Sequence, residues 1–432
     1  MEGPQDPGRD ELIQLILCQL SAYGYSSLSQ AIATHTKVPM TADSNSRLAE
    51  LVRLGLQSEK KLRGGGGNAA GADTDTDVHS VGGGSVDEAE GSDSVGNPAG
   101  DSTGAAARWQ VRCKAKHTGV ATVAAFSDDG RYVATGSADA TVKLIDVDQA
   151  RGAAAGAVRR DDKFVVRTLS DHDGGVTGLA LHPNGLVLAS CSEDRSIRLF
   201  DLSVAQGKHA FQSFRDSQPL RSIAFHPSGD YIAAGGDAAE MRLYSVRSGK
   251  AYLLAAGGGG GGPGLAHHSA GITHVGYAGS GAAIASASRD GSVKIWDGAS
   301  GKCVRTIDRA HDGKAATAAV FSQDSKHVLT AGLDSCVRMW DAASGRMVQE
   351  YVGASADAAS AQAVFSHGGA QVMAPDAATN TVAVWDAASG QLLAKVAAHS
   401  QRITSIAASP TADAFVTCSA DGWARYWSPG AQ

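Results

Sequence analysis

The chain has no C-x-x-C pair, no apolar run long enough to cross a bilayer and no surplus of basic charge. Each absence closes off a class of function. The six cysteines, Cys18, Cys113, Cys191, Cys303, Cys336 and Cys418, are too scattered to build a zinc cluster. Cys191 in ASCSED and Cys418 in VTCSAD hold equivalent places in two similar segments and read as small buried core residues. The longest apolar stretch lies within LIQLILCQL, far short of a membrane span. The formal net charge of -6 is the wrong sign for a domain whose main work is neutralising phosphates, so no direct nucleic-acid partner is expected. The start, MEGPQDPGRDE, is acidic where a signal peptide is basic. Together these features predict a soluble intracellular protein without membrane contact.

What is present falls into three parts. Residues 9–57 predict a small α-helical dimerisation domain. ELIQLILCQLSAYG puts Leu12, Ile16, Leu20 and Tyr23 on one stripe with Ile13 and Leu17 beside it, and Gly24 stops the helix. Ser27 and Gln30 form a capping box for a second short helix, and RLAELVRLGL follows caps at Asp43 and Ser44. Three short helices cannot cover that stripe, so it predicts a homodimer. Residues 58–107 predict a flexible linker. From Gly64 onward it carries eight acids and no Lys or Arg, a composition that cannot offset the entropy of folding.

From 108 to 428 the chain repeats itself. The segments VKLID, IRLFD, MRLYS, VKIWD, VRMWD, VAVWD and ARYWS carry Ile145, Phe200, Tyr244, Trp296, Trp340, Trp385 and Trp427 at equivalent places. Their spacings run from the low forties to the mid fifties, the period of four-stranded propeller blades. Six residues before the bulky residue an Asp recurs: Asp139, Asp194, Asp290, Asp334 and Asp421. Four residues before the Asp stands Thr135, Ser190, Ser286, Thr330 or Thr417. About twenty-two before it stands His117, His172, His268, His311 or His399. A Ser-His-Asp set invites a hydrolase reading, but an active site is needed once and this set occurs five times. It predicts a hydrogen-bond network inside each blade, with no catalytic, cofactor or metal residue.

Apolar strands follow every blade but the last: FVVRTL, HAFQSF, AYLLAA, CVRTID, MVQEYV and QLLAKV. Only SPGAQ follows Trp427, whereas WQVRCKAKH lies ahead of the first blade without one of its own. Trp109–Lys114 is therefore expected to complete the seventh blade and close the ring. Blades three and six depart from the pattern, with Ala238 and Thr379 in place of the Asp and no preceding His. Inserts are expected at Gln149–Asp162, Gly257–Gly262 and Gly353–Ala361.

Sevenfold repeats of this form resemble the WD-repeat family, an all-β seven-bladed propeller. More narrowly, RDELIQLILCQLSAYGYSSLSQAI, HDGGVTGLALHPNGLVLASCSEDRSIRLFD, LRSIAFHPSGDYI and AHDGKAATAAVFSQDSKHVLTAGLDSCVRMWD resemble the WD-repeat subunits of cleavage stimulation factor. That resemblance implies a nuclear, non-catalytic scaffold subunit of the machinery that cleaves and polyadenylates pre-mRNA 3′ ends. It implies docking onto a helical-repeat scaffold subunit, a link to the RNA polymerase II C-terminal domain, and RNA read by a different subunit. A rival role, substrate receptor of a ubiquitin ligase, usually carries Arg or Lys two residues after the WD aspartate. Asp297, Asp341 and Asp386 are followed there by Ala299, Ala343 and Ala388, which weakens that reading. Direct RNA binding through Arg159, Arg160 and Lys163 is weakened by the absence of interleaved aromatics.

Overall fold

Segments such as YVATGS, VLASCS, AIASAS and FVTCS combine β-branched residues with small ones, and almost every position in them is buried. A strand covered on both faces by neighbouring sheets needs that composition, because small residues leave room for large ones opposite. The computed structural model describes residues 109–151, 164–204, 207–254, 267–357 and 362–430. Among these, seven antiparallel four-stranded sheets follow one another along the chain. The expected helical domain at 9–57, with Leu12, Ile13, Ile16, Leu17, Leu20 and Tyr23, lies outside the described residues. So do the linker at 58–107 and most of the expected inserts. No helix among the described residues is long and apolar enough to cross a membrane.

Seven apolar cores among the described residues each occupy one interface between neighbouring blades, and together they join the sheets into a ring. The ring closes through Trp109–Lys116. This strand pairs antiparallel with Trp423–Pro429, from Trp109 opposite Pro429 to Lys116 opposite Trp423. A bulge between Val111 and Cys113 changes which face its side chains meet. Trp109 and Val111 pack with the core between blades six and seven, whereas Cys113 and Ala115 pack with the core between blades seven and one. The proposed closing strand is thus present, two residues longer than the sequence indicated.

Around the inner strands, threonine hydroxyls stitch one blade to the next. Thr122 donates to the Val176 carbonyl, Thr177 to Leu220, Thr273 to Ala316 and Thr404 to Ala121. The hairpin turns expected at Asp129-Gly130 and Ser228-Gly229 both carry a glycine with positive φ, 70° and 79°. At Gly229 a side chain would also run into the His182 ring of the preceding blade, so both backbone and space require glycine there.

Candidate functional site

In blade four, Trp296 Nε1 donates to Ser286 Oγ at 2.9 Å, and His268 Nε2 lies 2.7 Å from the same hydroxyl. His268 Nδ1 is 2.9 Å from Ser292 Oγ and 3.3 Å from Asp290 Oδ2. The proton pattern that satisfies every group runs in one direction. The indole N–H donates to the serine oxygen, the serine hydroxyl donates to Nε2, and Nδ1–H donates towards the carboxylate. Blades five and seven repeat it. Thr330 links Trp340 and His311, and Thr417 links Trp427 and His399; Asp334 and Asp421 lie 2.9 Å from Nδ1. Blades one and two keep the rest without the indole. His117 meets Thr135 at 2.9 Å, with Asp139 3.7 Å away, and His172 meets Ser190 at 2.6 Å and Asp194 at 2.8 Å.

The Asp does a second job. It follows a strand at a tight turn, and its Oδ1 accepts the backbone N–H two residues on: Thr141, Ser196, Ser292, Cys336 and Trp423. This bond holds the intervening residue at positive φ even when it is Ala140, Arg195 or Ser335. The repeat also contains a serine that the tally of His, Ser/Thr and Asp leaves out. Ser137, Ser192, Ser288 and Ser419, two residues before the Asp, accept its backbone N–H. Its signal was in the sequence, as the S-x-D spacing of GSAD, CSED, ASRD and CSAD.

Ser–His–Asp connectivity matches that of a hydrolase triad, yet the hydroxyls cannot reach a substrate. Ser286 is 0% exposed and its oxygen already accepts the Trp296 N–H. A nucleophile must meet a carbonyl carbon, and this one faces packed side chains. Ser286→Ala would leave the indole N–H and the His268 ring nitrogen without their partner. The expected cost is about 1–2 kcal/mol in denaturant unfolding, with binding of partner proteins retained. Loss of a turnover activity without loss of stability would refute this.

Blades three and six have different polar clusters. In blade three Asp216 stands where blades one, two, four, five and seven have His. Its carboxylate, 5% exposed, accepts from the Tyr244 hydroxyl and the Arg242 guanidinium. In blade six Trp385 donates to the Val352 carbonyl at 2.9 Å. The buried acid there is Asp376, three residues before Thr379, held by Ser355, Thr379 and Lys395. Asp216, Asp376 and Lys395 are residues that position-by-position comparison of the repeats overlooks.

The buried clusters make stability depend on pH. Burial pushes the pKa values of His172, His311 and His399 below the usual histidine value, with their aspartates opposing only part of the shift. Burial by itself would raise the carboxyls, but hydrogen bonds outweigh it. Ser196 and His172 bring Asp194 down to about 2, and His399 brings Asp421 to about 2. The folded state therefore binds fewer protons than the unfolded one at both kinds of group, so stability rises with pH. Melting temperature is expected to fall on acidification through about pH 6.5, as the unfolded histidines take up protons, and again below about pH 4. A stability maximum at pH 5 or lower would contradict this assignment.

A family model described as "WD domain, G-beta repeat" matches residues 110–146, 163–201, 209–245, 264–297, 301–341 and 390–428. It passes over 342–389, which hold the first three strands of blade six. Cleavage stimulation factor subunit 50 of Arabidopsis thaliana is 36% identical over 421 residues, covering 96% of this chain and 95% of that protein. WD repeat-containing protein VIP3 of the same organism is 28% identical over 181 residues, 40% of this chain and 51% of that one. The β-propeller domain of Cps50 (Swd1) from Myceliophteria thermophila superposes with a TM-score of 0.61 at 17% identity, covering 73% of this chain and 98% of that one, a likeness of fold alone. Six matched repeats, seven sheets joined into a ring by Trp109–Lys116 and identity spread over nearly the whole chain place it in the WD-repeat family and, within that, in the family of cleavage stimulation factor subunit 50.

Proposed function

We propose that the chain is the propeller subunit of a nuclear cleavage stimulation factor, a non-catalytic scaffold in the machinery that cleaves and polyadenylates pre-mRNA 3′ ends. The observation that carries this reading is the 36% identity over 96% of the chain, which takes in the N-terminal part as well as the blades. In this reading the buried His–Ser/Thr–Asp clusters are structural. They hold the blades rigid so that the rims present fixed surfaces to protein partners. The partners are the helical-repeat scaffold subunit and the RNA polymerase II C-terminal domain, and RNA is left to another subunit. Leu12, Ile13, Ile16, Leu17, Leu20 and Tyr23 form a two-fold interface that makes the subunit a homodimer.

Affinity purification of the tagged chain from nuclear extract tests the assembly. Recovery of the helical-repeat and RNA-recognition subunits of cleavage stimulation factor is expected, and recovery of a cullin ligase in their place would sink the reading. Light scattering tests the dimer. Ile16→Asp should halve the mass of the full chain, and a monomeric parent at tens of micromolar would end the proposal.

A further inference from the structure

Two residues before the bulky aromatic or aliphatic position, six of the seven blades carry a cation: Lys143, Arg198, Arg242, Lys294, Arg338 and Arg425. Blades two and five place an arginine there with an aspartate directly after the blade's histidine, so their surroundings can be compared group by group. In blade five every nitrogen of Arg338 has a partner. Nη1 donates to the Ala310 carbonyl at 2.6 Å and lies 3.1 Å from Asp334, and Nη2 donates to Asp312 at 2.8 Å. Nε donates to Glu350, directly across the ladder, at 2.8 Å.

Blade two keeps this arrangement but lacks one carboxylate. Asp173 and Asp194 hold the places of Asp312 and Asp334, each 3.8 Å from Arg198 Nη2, and Asp171 lies 2.7 Å from Nη1. Across the ladder from Arg198 stands Ser213, whose side chain is too short to reach as Glu350 does. Arg198 Nε has the Ser196 hydroxyl instead, at a long 3.4 Å. Where the glutamate side chain stands in blade five, blade two has a cavity of about 140 Å³, lined by Arg198, Ser213, Arg215 and the three aspartates. Cavities of this size take up a benzene-sized group.

The charges around the cavity allow a further acid. Asp171 is held by His209, the Ala210 N–H and Arg198, and Asp194 by His172 and Ser196. Asp173 is 88% exposed, so water screens it. In blade five two aspartates stand at least as close to a single arginine, and Glu350 is bound all the same. Blade two adds a second cation, Arg215, exposed on the outer strand directly across from Ser196. Phe211, two residues before Ser213 and on the same face of the strand, is 56% exposed.

We propose that this cavity binds a glutamate side chain from an extended segment of a partner protein, which takes the place that Glu350 fills in blade five. The incoming carboxylate would accept from Arg198 Nε, the Ser213 hydroxyl and Arg215, charge-assisted bonds of the kind Arg338 already makes. An apolar residue two positions from the acid would lie against Phe211, because side chains two apart on a strand share a face about 6.8 Å apart. Among the described residues the strand Gln212–Arg215 has one sheet neighbour, so its outer edge is open to such a segment. A basic side chain fits less well, since it would enter beside two arginines. The site rests on the comparison of blades two and five and is independent of the assembly proposed above.

Two measurements on the full chain test this. Ser213→Glu supplies the missing carboxylate from within, and at pH 7 it should melt at a higher temperature than Ser213→Gln, which fills the same space without charge. A lower melting temperature for the glutamate variant would show that the cavity rejects a carboxylate and would overturn the proposal. Fluorescence anisotropy then uses a labelled peptide, Thr-Val-Glu-Val-Thr-Gly, with Gln and Lys counterparts at the Glu position. The Glu peptide is expected to bind, about tenfold more weakly to Arg215→Gln and not at all to Ser213→Glu, whose own side chain occupies the site. Absence of Glu-peptide binding at low salt, equal binding of the Gln peptide, tighter binding of the Lys peptide, or undiminished binding by Ser213→Glu would each overturn it. Succinate displacing the peptide at equal concentration would reassign the cavity to small carboxylates.

Discussion

Removing residues 1–116 is expected to abolish a soluble folded propeller, whereas removing residues 1–60 leaves it intact. The longer cut takes the closing strand and its seven paired positions against Trp423–Pro429. Two cores are opened at once, because Trp109 and Val111 belong to one and Cys113 and Ala115 to the other. Tyr426 and Trp427, both almost wholly buried, lose their cover. The ladder bonds contribute about 1 kcal/mol each, and the lost apolar contacts add to them. The total is comparable with a domain's whole net stability, about 5–15 kcal/mol. The last blade would also present a bare apolar edge, which invites pairing with other chains. Size-exclusion chromatography and thermal melts of the two truncations check the expectation. Two products of equal solubility and equal melting temperature would mean that closure contributes little.

The closing strand was legible because repetition fixes the phase of the chain. Each blade ends in an apolar segment, so a final blade without one and an initial segment without a blade imply each other. The His–Ser/Thr–Asp clusters were legible for the same reason, since five copies distinguish a building rule from a catalytic site. Repetition fails where a blade solves the same problem with other residues. Asp216 occupies the histidine position of blade three, but nothing in its spacing says that Tyr244 and Arg242 will donate to it. Positive φ at Ala140 and Arg195 left no trace in the sequence either, because the Asp beside them, not the residue itself, holds the turn. The helical stripe from Leu12 to Tyr23 lies outside the described residues and stands on its pattern alone.

Blade six supplies the sharpest case, and a prediction with a rescue. Where the other six blades carry a cation, it has Ala383, and directly across the ladder from Ala383 stands Lys395. Lys395 Nζ lies 2.6 Å from Asp376, a carboxylate only 3% exposed. The cation has moved one strand outward while keeping its face of the sheet. Burial would raise the Asp376 pKa, but the Lys395 bond and those from Ser355 hold it well below the usual carboxylate range. Lys395→Ala should therefore strand a buried charge and cost about 2–3 kcal/mol at pH 7, near the lower end for a broken buried pair because Lys395 is itself partly exposed. A depressed carboxyl contributes stability above its unfolded pKa, so the difference from the parent should shrink as pH falls through about 4. Adding Ala383→Lys to the same chain puts the cation back at the position the other blades use and should restore at least half of the loss. Urea unfolding of the parent, single and double variants measures all three. A double variant no more stable than Lys395→Ala would show that the two positions are not interchangeable, and that blade six folds by a local rule of its own.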